Sequence, residues 1–167
     1  MQKYGAKDNF LLLFNPSNQE EFVQAREQCF FGTAPTLGEL NASYGKEMAK
    51  AWLIPQLFDL SEFCGCKGKI TEAQMEQTAG MLAQQYHYIK VTEWMVFFYN
   101  FKMGKYGKFY GKVDPMVITT AMPAFLNERA HEIEAKEDAK RKAERERWAK
   151  ECVTREEYER MVREGKL

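Results

Sequence analysis

The sequence predicts an all-α fold: a compact helical bundle of about five to six helices with a long charged C-terminal helix and a short terminal helix. Three observations carry this expectation. Helix-start signals recur, each followed by apolar residues at helical spacing, so local and global cues agree. The aromatic and aliphatic side chains fall at i, i+3, i+4 and i+7 rather than alternating. The last part of the chain replaces apolar residues with opposite charges one helical turn apart. Residues 1–126 read as the helical core and residues 127–167 as a charged helical arm.

A first helix is expected over 18–31, with Phe22, Val23, Arg26 and Phe30 on its inner side. Thr36, with Glu39 three residues on, has the form of a capping box, in which each side chain satisfies an orphan amide of the other. The stretch 37–63 reads as one long helix or two. Gly45 weakens it, and Pro55 is expected to kink or break it by removing an N–H. Leu53, Ile54, Leu57 and Phe58 then supply the second half's core face.

Thr71 and Gln74 form a second box, with Ile70 and Met75 as a hydrophobic staple. Met75, Ala79, Leu82 and Tyr86 mark one face of a helix over about 72–87. Thr92 is the expected cap of the next helix, near 93–103, with Val91 and Val96 at the staple positions. Trp94, Phe97, Phe98 and Phe101 form its stripe, and Met95, Val96 and Tyr99 occupy its other face, so this helix is expected at the centre. Asp114-Pro115 is a cap followed by proline at the first helical position, where a missing N–H costs nothing. Val113 and Ile118 provide its staple.

That helix is expected to run past the core as a solvated rod, with a bend at Pro123. Residues 127–167 hold 12 basic and 12 acidic side chains. Glu132–Lys136, Glu137–Arg141, Asp138–Lys142 and Glu146–Lys150 are i, i+4 pairs in the favourable order, each worth roughly 0.2–0.5 kcal/mol. Thr154 with Glu157, and Val153 with Tyr158, start a terminal helix over about 155–164 that ends at Gly165.

The composition bounds the function. Lys plus Arg and Asp plus Glu are both 24 in 167 residues, so bulk positive charge cannot drive polyanion binding, and any nucleic-acid site must be a local patch. A hydrophobic content of 45% excludes wholesale disorder. The apolar run Phe10–Phe14 is too short for a signal-peptide core, and nothing approaches a membrane span. A cytoplasmic protein with no membrane partner is expected. Cys29, Cys64, Cys66 and Cys152 are too unevenly spaced for a disulfide framework and read as reduced thiols.

The segment Lys102–Lys112 carries the most information. It holds four lysines, three aromatics, three glycines and no acid. Lysines neutralise phosphates, aromatics offer bases a stacking face worth roughly 1–3 kcal/mol each, and glycines let backbone N–H groups approach an anion. Lys102, Lys105, Tyr106, Lys108, Phe109, Tyr110 and Lys112 are therefore the candidate nucleic-acid-binding residues. The alternative is a tight crossover whose aromatics plug the core while its lysines point to water. Cys64-Gly65-Cys66 offers two thiolates for zinc or a redox pair, against a plain helix C-terminus with Gly65 just past it. His87 and His131 each stand alone in their region, and His87 reads as a helix-end residue. No catalytic constellation has a local signature, so no enzyme activity, cofactor or metal is expected. Beyond the rod, Trp148, Tyr158, Met161 and Val162 form a candidate protein-interaction face, met by a second copy in a homodimer or by a hairpin back onto the rod.

From Thr92 to Arg129 the chain runs from an aromatic helix through Gly104, Tyr106, Gly107, Tyr110 and Asp114 to a helix ending at Arg129. In these residues it resembles small helical proteins carried by phages and conjugative elements of Bacteroides-type bacteria. The resemblance implies a mobile-genetic-element setting, near replication or mobilisation, and no catalytic residues. The resulting expectation is a non-enzymatic DNA-associated accessory protein, of replication or helicase-loading helper type, that binds single- or double-stranded DNA through the 102–112 segment. The competing expectation is a self-assembling structural or interaction module that acts through the arm.

Overall fold

The computed structural model describes residues 4–152 and 155–165. The described residues are all-α, with isolated bridges in place of strands. They carry more helices than five to six: α1 (Lys7–Leu13), a 3₁₀ turn (Pro16–Asn18), α2 (Gln19–Gln24), α3 (Arg26–Phe31), α4 (Leu37–Tyr44), α5 (Met48–Phe63), α6 (Glu72–Gln85), α7 (Val91–Lys102), α8 (Pro115–Glu151) and α9 (Arg155–Arg163). Two compact units result, Met1–Arg129 and Ala130–Leu167.

The extra helices have local causes. α1 buries Phe10, and Phe14 just past its end is buried too. The Phe14 carbonyl accepts hydrogen bonds from Trp52 Nε1 (2.9 Å) and Gln56 Nε2 (3.0 Å), which ties α1 to α5. Gln19 Nε2 donates to Gln56 Oε1 at 2.7 Å, so these buried amides find each other. The expected 18–31 helix is two helices, because the backbone leaves helical geometry at Ala25 (φ −97°, ψ 35°).

The 37–63 stretch breaks at Gly45 (φ 114°), not at Pro55. Pro55 lies inside α5 on its exposed side, beside exposed Ala51, whose carbonyl loses its helical partner. Water can serve that carbonyl. Burial of Trp52, Leu53, Gln56, Leu57 and Leu60 on the opposite side offsets a proline cost of about 3 kcal/mol. Phe58, expected in the core, is 53% exposed, and Ile54 is only half-buried; the buried stripe lies on Trp52, Leu53, Gln56, Leu57 and Leu60 instead.

The capping boxes at Thr36/Glu39 and Thr71/Gln74 both form. The helix expected from Thr92 starts at Val91, and Thr92 is not its cap: its Oγ1 donates to the Cys29 carbonyl at 2.8 Å. Instead the Glu93 carboxylate accepts the Lys90 backbone N–H at 2.9 Å. Lys90 Nζ in turn donates to the carbonyls of Phe30 (2.7 Å) and Gly32 (2.9 Å), placing a cation at the C-terminus of α3, where the helix dipole favours one. α7 is wrapped on nearly every side: Trp94, Met95, Val96, Phe97 and Phe98 are fully buried and Phe101 nearly so. Its rings meet edge-on or offset, as aromatic quadrupoles prefer, with Trp94 on Phe97 at 5.6 Å and Phe97 on Phe125 at 5.4 Å.

Asp114 caps α8, accepting the Met116 N–H at 2.9 Å, and Val113 and Ile118 are both buried. Pro123 lies within α8 on an exposed position. In the second unit, α8 residues from Glu134 onward are exposed, with Arg141 on Asp138 at 2.8 Å. α9 ends at Arg163, and Gly165 follows with positive φ (65°). The expected cap and staple residues Thr154 and Val153 lie outside the described residues. No helix among the described residues is long and apolar enough to cross a membrane.

The burial pattern separates two phenylalanines of the same size. Phe98→Ala is expected to cost about 3–5 kcal/mol, and Phe58→Ala roughly 0.5 kcal/mol. Urea midpoints of the two variants against the parent check this.

Candidate nucleic-acid interface

The 102–112 segment divides into residues used by the fold and residues left in solvent. Lys102 belongs to the last turn of α7, not to the loop; it pairs with Asp59, and its ammonium lies 5.5 Å from the Phe63 ring centroid. Lys105 pairs with Glu128 at 2.6 Å. Tyr106 stacks on Phe97 (5.4 Å, 18° between planes), and its hydroxyl donates to Glu128 Oε2 at 2.9 Å. Phe109 stacks on Phe101 at 5.4 Å. To this extent the segment is a crossover that plugs the core.

Lys108, Tyr110 and Lys112 do not take part. Tyr110 is 87% exposed, and both lysines are exposed. The turn between α5 and α6 brings a third lysine to them. Gly68 N–H donates to the Gly111 carbonyl (3.2 Å), and Val113 N–H donates to the Gly68 carbonyl (2.8 Å), forming a parallel bridge of Gly68 with Lys112. Only glycine permits this approach, because a Cβ on residue 68 would lie 2.7 Å from Lys112 Cβ and 3.2 Å from its Cα. The bridge sets Lys67-Gly68-Lys69 against Tyr110-Gly111-Lys112. Neither turn contains an acid. Lys69 is taken up by Glu62 (3.2 Å) and the Ser61 carbonyl (3.1 Å). The ammonium groups of Lys67, Lys108 and Lys112 have no partner among the described residues.

Sequence reasoning missed Lys67, because its relation to Lys112 depends on a pairing between distant turns. The available signal was the repetition of Lys-Gly-Lys at 67–69 with Tyr-Gly-Lys at 110–112. Sequence reasoning also could not see which lysines would meet Asp59 and Glu128, which lie on other helices.

Glu128 is the hub of the structural half. It receives Lys105, Tyr106 and Arg26, and Arg26 also covers the Phe30 ring at 4.9 Å. Burial by itself would raise the Glu128 carboxyl; the hydrogen bonds from Lys105, Tyr106 and Arg26 outweigh it and hold the group below the usual carboxylate range. Burial, with Glu128 adding to it against the Asn100 hydrogen bond, pushes the Tyr106 phenol well up, so it stays a donor at any working pH. One residue on, Arg129 Nε donates to the fully buried Glu93 at 2.8 Å.

The other expected sites are placed as follows. Cys64 and Cys66 are half-buried free thiols beside a cleft, and among the described residues no group of three or more potential ligands could hold a metal. His87 Nδ1 lies 3.2 Å from the Gln84 carbonyl at the end of α6, as a helix-end residue would. His131 is exposed on α8, 4.0 Å from Glu134. Trp148, Tyr158 and Val162 are exposed, and Met161 is half-buried.

The hub generates a pH prediction. A carboxyl whose folded pKa is depressed contributes stability above its unfolded value, about 4.3, and loses it as pH falls through the folded value. Glu128→Gln is therefore expected to cost about 2 kcal/mol at neutral pH, the scale of hydrogen bonds to a charged group. The cost shrinks at acid pH. Guanidinium titrations of both proteins at neutral pH and at a pH below the carboxylate range measure the difference.

No curated protein and no solved structure matches this chain. A family of unknown function, DUF6633, matches residues 69–166, a span that holds α6 to α9, the 102–112 segment, Glu128 and Arg129. That span is more than half of the chain, and the protein belongs to the DUF6633 family.

Proposed function

We propose that this protein is a cytoplasmic, non-enzymatic nucleic-acid accessory protein, of the replication or helicase-loading helper type, in a phage or mobile-element setting. It contacts DNA through the bridged turns 67–69 and 108–112. One observation carries the reading: the Gly68–Lys112 bridge gathers two acid-free turns whose Lys67, Lys108 and Lys112 have no acidic partner among the described residues, around a Tyr110 ring that is 87% exposed. Lysines without partners gain free energy by releasing phosphate counterions. An exposed phenol ring offers a stacking platform only to bases that are themselves unstacked, so the arrangement suits single strands better than duplex. With no net charge on the chain, binding is local and weak, and the site cannot act as a general polyanion trap.

Salt dependence tests this directly. Wild-type protein is expected to bind a single-stranded oligonucleotide at low salt, and Lys108→Ala with Lys112→Ala to flatten the log–log salt slope by about one to two units. Lys105→Ala, whose charge belongs to Glu128, leaves the slope unchanged. Tyr110→Ala weakens single-strand binding at every salt concentration by about 1–3 kcal/mol. Absence of binding to single- or double-stranded DNA at low salt rejects the reading.

A second reading has its own observation. Trp148, Tyr158 and Val162 present apolar surface on an arm with equal numbers of basic and acidic residues. Such balanced charge is self-complementary, so a second copy is the fitting occupant, in a two-fold dimer. Sedimentation of the full chain against Tyr158→Glu with Val162→Glu tests it: a concentration-dependent dimer that the substitutions abolish supports it, and one monomeric mass for both rejects it.

A further inference from the structure

Cys64, Gly65 and Cys66 form the reversal at the end of α5. The Cys64 backbone is still helical (φ −66°, ψ −17°), and its N–H reaches the Leu60 carbonyl at 3.1 Å. Gly65 then turns the chain with φ 62°, in the left-handed region that an L side chain rarely enters. Both flanking cysteines are free and half-buried, and both open onto one cleft of about 330 Å³ walled by Phe63, Phe101 and Phe109, with Lys102 and Lys108 at its edge. The other two thiols are placed differently. Cys29 is sealed in the core with its thiol directed at the Phe22 carbonyl (3.0 Å), and Cys152 is an exposed residue of the second unit.

We propose that Cys64 and Cys66 are a reversible oxidation site, closing to an intramolecular disulfide with hydrogen peroxide as oxidant. Two thiols one residue apart, on a turn that glycine already reverses and in a cleft open to small molecules, meet the access that such chemistry needs. Two thiols without further ligands among the described residues fall short of a structural zinc site, which takes four.

The steps balance. The Cys66 thiolate attacks one peroxide oxygen, the O–O bond breaks, and hydroxide leaves and is protonated to water. Cys66 is then a sulfenic acid. The Cys64 sulfur attacks the Cys66 sulfur, the S–S bond forms as the S–O bond breaks, and the departing hydroxyl takes the Cys64 proton as a second water. Two thiols have lost two electrons, and one peroxide has become two waters. Burial first, and the neighbouring Cys66 second, push the Cys64 thiol up against the pull of Lys69 and Lys102, which suits Cys64 to resolving rather than attacking. A ring closed through a single residue is strained, which makes the disulfide readily reducible by an ordinary dithiol. Gly68, with its bonds to Gly111 and Val113, lies two residues beyond Cys66. The site does not depend on nucleic-acid binding.

The experiment oxidises the reduced full-length protein with stoichiometric hydrogen peroxide, blocks remaining thiols by alkylation under denaturing conditions and maps the peptides. Two of the four cysteines, Cys64 and Cys66, are expected to escape alkylation in a monomer, in one peptide lighter by two hydrogens, and to return on treatment with dithiothreitol. Cys64→Ser is expected to leave a sulfenic acid at Cys66 that dimedone traps, and Cys66→Ser to leave Cys64 largely unoxidised. Both cysteines remaining alkylatable while Cys152 oxidises, a bond formed only between molecules, or Cys64 oxidising as readily in Cys66→Ser as in the parent would each overturn the proposal.

Discussion

The carboxylate of Glu93 is fully buried, and the core unit is organised around keeping it satisfied. One oxygen accepts the Lys90 N–H that opens α7, and the other meets Arg129 on α8. A buried charge without its partner costs about 3–5 kcal/mol, so α7 and α8 cannot separate there cheaply. Adjacent Glu128 repeats the arrangement with the opposite sign, taking Arg26, Lys105 and Tyr106. Neighbouring residues of α8 thus fasten it to α3, α7 and the 102–112 segment. The two compact units divide immediately after this pair.

That fastening decides what the segment after α7 has left to offer. Tyr106 and Phe109 extend the aromatic packing of α7, and Lys102 and Lys105 neutralise acids on α5 and α8. Held in this way, the segment presents Lys108, Tyr110 and Lys112 outward, and Gly68 docks a second lysine turn against them. The same composition serves both structure and surface, with the division set by where each residue falls relative to Glu128 and Asp59. The dithiol turn of Cys64 and Cys66 lies at the start of the second lysine turn, next to the same bridge.

Much of this was legible because the signals are local. Thr36 with Glu39, Thr71 with Gln74 and Asp114 before Pro115 name helix starts within a few residues, and the stripe Trp94, Phe97, Phe98, Phe101 identifies the buried helix. The sequence misled where packing overrides local preference. Pro55 sits inside α5 because its ring faces water, and Thr92 passes its expected capping role to Glu93 because the Cys29 carbonyl is in reach. α1 escapes a sequence reading because it is short and its N-cap, Ala6, supplies no side-chain cap. In the candidate site the residue types were readable, but the division between paired and free lysines was not, since Asp59, Glu128 and Gly68 are brought in by tertiary contacts.

The division of the lysines is the central claim, and their chemical reactivity tests it most directly. Brief acetylation of the native protein, with and without a single-stranded oligonucleotide, gives the modification rate of each lysine by peptide mass spectrometry. Lys67, Lys108 and Lys112 are predicted to react quickly in the free protein and to be protected by the oligonucleotide, while Lys102 and Lys105 react slowly in both samples. Equal reactivity of all five lysines, or an oligonucleotide that protects none of the first three, would contradict the account.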